Sequence, residues 1–327
     1  MATLLEPIAS ATLFILLLFS QSHFFLKTHN SCHREERFIA LTVNQQRLGN
    51  QLFHLAAGYG IARKAQRTFY YPMIESRRKV RYYLKNIAET FPKTVQMYKI
   101  FQAADIKQMV IKFASDEDWF FKGCCLYEDP TRFVDHPAKF ILLSQRFAQN
   151  ARYLEDYLPE LRELFRFSDI AKERGEADMR KLQIGNVSDF LCIHIRTTDF
   201  LDYGVASDMN GTVSAAEFVA KAQMLRQFLL LGDDKDFMRN LARTIVLNDE
   251  KRTVRISTFS EMSEFYISSQ LCKSFLLSAP TSTMGWWLAF FTKDQQAVYY
   301  YKDRRKARDY KMLSDEFFLK SWHRVNG

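Results

Sequence analysis

The sequence predicts an α/β fold of parallel sheets with helices on both faces. Short apolar runs alternate with segments whose apolar residues recur every three to four positions, the pattern of strands followed by crossover helices. The chain has 327 residues, 47% hydrophobic and 25% charged, enough for two lobes with a real core. Aromatic residues reach 15%, with 29 Phe and 15 Tyr against 11 Gly and 7 Pro. That suits a packed interior and not a loop-heavy β-sandwich. The same composition excludes a disordered chain, a collagen and a mini-protein held by disulfides. A multi-pass membrane protein is excluded because the chain carries only one long uncharged stretch.

That stretch comes first. Pro7 to Leu26 carries no charge, and Leu13 to Phe19 is its apolar centre. About 20 such residues span a bilayer. The expectation is a signal anchor over 7–26 and a short stem over 27–37; the alternative is a cleaved signal peptide with Ser20-Gln21-Ser22 as its site. Glu6 precedes the run and Lys27, Arg34 and Arg37 follow it, so the positive-inside rule does not itself put the N-terminus in the cytoplasm.

A first lobe is expected over 38–170. Phe38 to Val43 reads as a buried strand, and Asn44 to Asn50 as a polar loop. Leu52, Leu55, Ala56, Tyr59 and Ala62 then recur at helical spacing, with Arg63 and Lys64 closing the helix favourably for its dipole. Thr68 to Tyr71 reads as a strand stopped by Pro72, Lys139 to Ser144 as a strand, and Tyr153 to Phe167 as a helix. Asp169 to Ser188 is charged and lacks a strong apolar face until its end, so a linker is placed at 171–188.

The second lobe, 189–327, alternates clearly. Its strands are read at Phe190–Ile195, Phe228–Leu231, Thr244–Leu247, Ser274–Ser278 and Ala297–Tyr301. One helix opens at Ser214, with Glu217 completing a capping box. Others cover Phe237, Met238 and Leu241, then Glu261–Leu271 with Met262, Phe265 and Tyr266 inward, then Met284–Thr292.

The formal net charge is +9, which favours anionic partners. Basic residues cluster at Arg77-Arg78-Lys79 with Arg81, and from Lys302 to Lys311, where Asp303 and Asp309 make a solvated face the plainer reading. Zinc-finger spacing and RNA-binding aromatic motifs are missing, so no nucleic-acid partner is expected. Asn186-Val187-Ser188 and Asn210-Gly211-Thr212 are glycosylation sequons, which would fit a secretory lumen. The cysteines are Cys32, Cys124, Cys125, Cys192 and Cys272, and an odd count leaves at least one free or intermolecular. Their spacing is wrong for zinc. Adjacent Cys124 and Cys125 are not expected to pair with each other, and Cys192 reads as a small core residue.

Ligands in parallel α/β sheets bind beyond the carboxyl ends of strands, so four strand-end loops were weighed. In Gln46-Arg47-Leu48-Gly49-Asn50-Gln51, Gly49 permits close backbone approach, and the helix start behind it offers free N–H groups. A plain strand-to-helix turn reads equally well. In Cys192-Ile193-His194-Ile195-Arg196-Thr197-Thr198-Asp199-Phe200, His194 and Arg196 share one strand face, a basic pair suited to a pyrophosphate, and Asp199 follows as a base or as an orienter of Arg196. In Gly232-Asp233-Asp234-Lys235-Asp236, helix capping is preferred over a metal site. Asp116-Glu117-Asp118 resembles the metal-binding Asp-x-Asp of many glycosyltransferases, in surroundings that are not clearly a strand end. In Ser278-Ala279-Pro280-Thr281-Ser282-Thr283-Met284-Gly285-Trp286-Trp287, hydroxyls at a helix start can cap it or hold phosphate.

Four stretches together resemble glycosyltransferase family 11, the α-1,2-fucosyltransferases, most nearly its invertebrate, nematode-like branch. They are Arg47-Leu48-Gly49-Asn50-Gln51-Leu52-Phe53, His194-Ile195-Arg196-Thr197-Thr198-Asp199-Phe200, Ser282-Thr283-Met284-Gly285-Trp286-Trp287 and the tail Glu316-Phe317-Phe318-Leu319-Lys320-Ser321-Trp322. Their order and spacing agree over roughly residues 38 to 322. The resemblance implies a GT-B-like fold, two Rossmann-type lobes with a cleft between them after an N-terminal transmembrane anchor. It implies GDP-fucose as donor, a galactose-terminated glycan as acceptor, inversion at the sugar carbon, no required metal or cofactor, and a single-pass type II protein of the Golgi membrane. By position, Arg196 would hold the donor pyrophosphate with support from His194, Ser282 and Thr283 would contact phosphate, and Gly49 and Asn50 would lie across the cleft. The family usually reads His-x-Arg-Arg-x-Asp, and Thr197 stands here at the second Arg. That removes a cation where leaving-group charge develops, worth on the order of 100-fold in rate. A non-catalytic lumenal protein that binds nucleotide-sugar or glycan, and a protein O-fucosyltransferase, therefore stay open beside the transferase.

Overall fold

A computed structural model describes residues 35–74, 76–114, 124–184, 189–302 and 316–326. The anchor expected at 7–26, most of the stem, the Asn186 sequon, Asp116-Glu117-Asp118 and most of the Lys302–Lys311 run lie outside the described residues. None of the described helices is long and apolar enough to cross a membrane.

Two parallel sheets organise residues 36–327. The first has five strands, β1 (Phe38–Leu41), β2 (Thr68–Met73), β3 (Lys99–Gln102), β4 (Met109–Ile111) and β5 (Phe140–Leu143), in the order β3-β2-β1-β5-β4. The second has six, β6 (Phe190–Ile195), β7 (Gln227–Gly232), β8 (Thr253–Ile256), β9 (Cys272–Leu277), β10 (Val298–Lys302) and β11 (His323–Asn326), in the order β11-β10-β9-β6-β7-β8. Every strand pairing among the described residues is parallel. In the second sheet the chain winds outward from β6 to β8 and then from β9 to β11, while in the first it winds outward from β1 to β3, crosses to the far edge at β4 and returns to β5 beside β1. The direction reverses between β1 and β5 and between β6 and β9, and those switch points open crevices for ligands.

The helices are α1 (Leu48–Lys64), α2 (Arg78–Thr90), α3 (Arg152–Glu155), α4 (Leu158–Leu164), α5 (Asp169–Lys181), α6 (Thr198–Asp202), α7 (Met209–Ala222), α8 (Lys235–Asn248), α9 (Glu261–Leu271) and α10 (Thr283–Phe291). Helices cover both faces of the second sheet, and β6 is buried at every position. Leu191, Ile193 and Ile195 pack with α7 and α8 residues such as Val219 and Leu241. Phe190 and Cys192 join a second cluster with Phe265 of α9 and Trp286 of α10. That cluster runs on into the first lobe through Ile39, Leu41 and α1, so both sheets share one core. The other face of β1 meets a small aromatic cluster instead, in which Phe38 stacks on Phe140 at 4.7 Å.

Several sequence expectations need correction. Pro72 does not stop β2, which runs to Met73; β1 pairs with β2 only at Thr68 and Phe69, so Pro72 lies beyond that ladder. Tyr153–Phe167 divides into α3 and α4, the second with Pro159 in its first turn. Residues 171–181 of the expected linker continue α5, whose Gly175 lies flush against Tyr266. α7 opens at Met209 and not at Ser214, because the Asp208 carboxylate accepts the Gly211 N–H at 2.8 Å. The β-branched run Thr244–Leu247 belongs to α8: Met238, Leu241 and Ile245 make one buried stripe, while Leu247 is 82% exposed. The strand falls later, at β8.

Two disulfides form among the described residues: the adjacent pair is a correction to expectation, while Cys192 keeps its expected place in the core. Cys192 pairs with Cys272, whose Cα lies 5.4 Å away because β6 and β9 are neighbours with Phe190 opposite Cys272. Cys124 pairs with adjacent Cys125; Gln149 donates its backbone N–H, and Asn150 its side-chain amide, to the two cysteine carbonyls.

Candidate functional site

The two switch points bring their loops together. Arg47 ends the loop after β1, and Asp199 lies in α6 just past β6. Arg47 Nη2 donates to Asp199 Oδ2 at 2.6 Å. The same carboxylate accepts from Arg196 through Oδ1, from Nε at 2.9 Å and Nη2 at 2.8 Å. Arg196 also lies 3.3 Å from Asp233 Oδ2, and its side chain is only 14% exposed. Two guanidinium groups, one from each sheet, thus share one aspartate between the strand ends. Arg196 is held from behind as well: its N–H donates to Ser207 Oγ at 3.1 Å, and its carbonyl accepts the Ser207 N–H at 2.8 Å.

Thr197 turns away from this group. It is buried; its N–H donates to Asp233 Oδ1 at 3.1 Å and its hydroxyl to Asp234 Oδ2 at 2.7 Å. Asp234 caps α8 through the Phe237 N–H, and these donors hold its carboxyl below the usual range. The capping expected of this acidic loop belongs to Asp234. Asp233 instead fastens the strand end, accepting also from the Thr198 hydroxyl.

His194 does not add a second charge. It shares a strand face with Arg196, but α10 covers that face, and a Cβ at Gly285 would fall 2.5 Å from His194 Nδ1. Burial pushes its pKa down to about 3, and Nδ1 has no hydrogen-bond partner among the described residues. A neutral, enclosed imidazole packs beneath the site, so Arg196 alone of the expected basic pair is cationic.

The α10 start lies over the crevice between β6 and β9. Ser282 is buried and caps α10, its Oγ accepting the Gly285 N–H at 3.3 Å. Thr283, half-buried, meets Gly49: a Cβ at Gly49 would lie 2.7 Å from Thr283 Oγ1 and 2.8 Å from Met284 N. The Gly49 carbonyl accepts the Trp287 indole N–H at 3.1 Å. Gly49 therefore permits close approach to α10, the second sheet's helix. Asn50 Oδ1 accepts from Gln149 Nε2 at 2.6 Å.

The arrangement also includes residues to which sequence reasoning gave no role. Arg47 stood inside a quoted motif, but only its tertiary approach to Asp199 shows its use. Glu261, in the first turn of α9, faces both Arg47 and Arg196 electrostatically. Its crowded surroundings raise its carboxyl above the usual range despite those two cations. Neither residue had a local signal beyond charge. Asn210 is exposed, the second residue of α7. Among the described residues, no group of three or more His, Cys, Asp or Glu is placed to hold a metal ion.

Chemically, the strand ends offer a cationic pair braced by aspartates beside a capped helix start. That combination suits a phosphate-bearing ligand. The sequence profile described as glycosyl transferase family 11 matches residues 42–326. A Caenorhabditis elegans galactoside 2-alpha-L-fucosyltransferase is 26% identical over 287 residues, covering 85% of this chain and 76% of that protein. A putative galactoside 2-alpha-L-fucosyltransferase, svh-11, from the same organism is 24% identical over 294 residues, covering 86% and 76%. Among solved structures, POFUT1 in complex with GDP is similar with a TM-score of 0.49 at 9% identity, over 78% of this chain and 94% of that one. Fucosyltransferase NodZ from Bradyrhizobium gives 0.46 at 13% identity, over 79% and 94%.

Proposed function

The chain belongs to glycosyl transferase family 11, and from that premise we propose that it moves L-fucose from GDP-fucose to the 2-hydroxyl of a galactose-terminated glycan, with inversion. The observation that carries the proposal is the Arg47–Asp199–Arg196 group at the meeting of both switch points. The acceptor hydroxyl attacks the anomeric carbon of fucose from the side opposite GDP. The new C–O bond forms as the bond to GDP breaks, and GDP departs with the electron pair. Arg196 and Arg47 stabilise the charge that develops on its phosphate, with Ser282 and Thr283 at the α10 start beside them. Arg47 supplies a second cation where Thr197 does not.

Asp199 was the expected base. Both of its oxygens accept from guanidinium groups, so we assign it to bracing the arginines. Glu261 is assigned the acceptor proton, since desolvation raises its carboxyl above the usual range and it interacts with the same arginines. Two disulfides and an exposed sequon at Asn210 support an oxidising lumen, consistent with a type II anchor in the Golgi membrane.

One observation favours a second reading. The buried Thr197 hydroxyl is spent on the α8 cap, as it would be in a non-catalytic protein that only binds nucleotide-sugar. The deciding experiment incubates the full chain with GDP-fucose and a panel of galactose-terminated glycans, and measures GDP affinity in parallel. Transfer to a galactose 2-hydroxyl supports the proposal. GDP binding without transfer supports the binding protein, and transfer to Ser or Thr of a folded protein supports an O-fucosyltransferase. Failure to bind GDP overturns all three.

A further inference from the structure

A cavity of about 400 Å³ lies at the far end of α10, away from the strand ends. Its wall is aromatic, formed by the buried rings of Phe165, Tyr266 and Phe290 and the half-buried rings of Phe167 and Phe291. Its rim is cationic, formed by Arg162, Arg166, Lys172 and Lys293, and no carboxylate lines it. Two of these cations are already paired: Arg166 with Glu163 at 2.6 Å and Lys172 with Asp169 at 2.9 Å.

The other two have no carboxylate partner among the described residues. Arg162 Nη1 donates to the Phe290 carbonyl at 3.0 Å, and its guanidinium lies 4.5 Å over the Phe290 ring. Lys293 Nζ donates to the Gln270 carbonyl at 3.3 Å. Burial pulls the Arg162 pKa down with no anion to oppose it. A guanidinium enclosed without a counter-ion is costly unless something supplies the negative charge. An anion there would meet the remaining Arg162 N–H groups and the Lys293 ammonium together. A bare anion would leave the half-buried rings of Phe167 and Phe291 uncovered.

We infer that this cavity is a second binding site, for a monoanionic amphiphile whose single phosphate meets Arg162 and Lys293 while its apolar chain covers Phe167 and Phe291, the chemistry of an anionic phospholipid. The site lies about 12 Å from the α10 start, at 1.5 Å per residue over that helix. It goes beyond the transferase reading and does not depend on it.

The test is a binding titration of the full chain, not an activity assay. Dihexanoyl phosphatidylglycerol is the probe. Dihexanoyl phosphatidylcholine and glycerol phosphate separate charge from chain. Phosphatidylglycerol is expected to bind at least tenfold more tightly than either control. Lys293→Ala and Arg162→Met are each expected to weaken it tenfold or more, and added salt to weaken it further. Equal affinity for phosphatidylcholine overturns the inference, as does equal affinity for glycerol phosphate. Affinity unchanged in Lys293→Ala, a surface substitution that leaves the core alone, overturns it even if Arg162→Met does not fold.

Discussion

At the scale of single residues, the site turns on which charges are free to act. Arg196 and Asp199 were legible from the sequence because a strand end that reads His-x-Arg followed by an acid has few plain explanations. Arg47 was not, because its partner lies 152 positions away. His194 was legible as a residue but not as a neutral one, since the helix that covers it comes from residues 283–291. These assignments make distinct predictions. Arg196→Ala should abolish transfer while the far-ultraviolet circular dichroism stays native; near-normal turnover would remove Arg196 from the mechanism. Arg47→Ala should lower kcat on the order of 100-fold, as losing one preorganised charge does elsewhere, with a smaller change in acceptor KM. Glu261→Gln should lower kcat and flatten the acidic limb of its pH profile while GDP affinity holds. If Asp199→Asn alone flattens that limb, the base is Asp199 after all.

At the scale of elements, close approach decides what periodicity alone does not. Strands β1, β5, β6, β7, β9 and β10 were legible from their apolar runs, and α9 to the residue. β3, β4 and β11 were not, because none carries a buried apolar run: Lys99, Ile100, Met109, Val110, His323 and Arg324 lie exposed. α8 was misread because β-branched residues mimic a strand until Ile245 is seen to complete a stripe. Gly49 is the element-scale hinge of the site: α1 and α10 touch there backbone to backbone. Alanine normally gains up to about 1 kcal/mol over glycine within a helix. Here its Cβ would lie 2.8 Å from Met284 N, a backbone atom that cannot rotate away. Gly49→Ala should therefore destabilise by about 1–3 kcal/mol, and by moving the α1 start it should also pull Arg47 off Asp199. Thermal unfolding and turnover should fall together. A stabilised, fully active Gly49→Ala protein would show that the two helices are not in contact.

At the scale of the whole molecule, the two sheets are welded and not merely apposed. Phe53 of α1 lies 4.7 Å from Trp286 and 5.5 Å from Trp287 of α10, and these rings join the cluster that serves both sheets. Two lobes were legible in the chain's alternation, but their common core was not, because it needs residues 53 and 286 at one place. A shared core predicts one cooperative unfolding transition, and it makes the acid response of the two halves common property. His54 in α1 and His194 in β6 are both buried and neutral, each pushed by burial to a pKa of about 3. Unfolding frees them to titrate near their ordinary value of about 6.5. The unfolded chain therefore binds two extra protons as pH falls below that value, and stability drains toward pH 3. Glu264 acts oppositely: burial raises it to about 7, although Ser257 donates to it at 2.6 Å. The folded chain holds its proton between pH 7 and about 4.5, which stabilises as pH falls and offsets one histidine. For these three groups the net from pH 6.5 to 4.5 is one proton, a loss of about 1.4 kcal/mol per pH unit; below 4.5 the Glu264 offset ends and their combined slope doubles. Glu264→Gln, which holds its amide neutral throughout, removes the offset, so the steeper slope should begin at pH 6.5. Urea unfolding at half-unit pH steps would read the change directly. A variant with an unchanged slope would mean that Glu264 is ionised in the folded protein at pH 6.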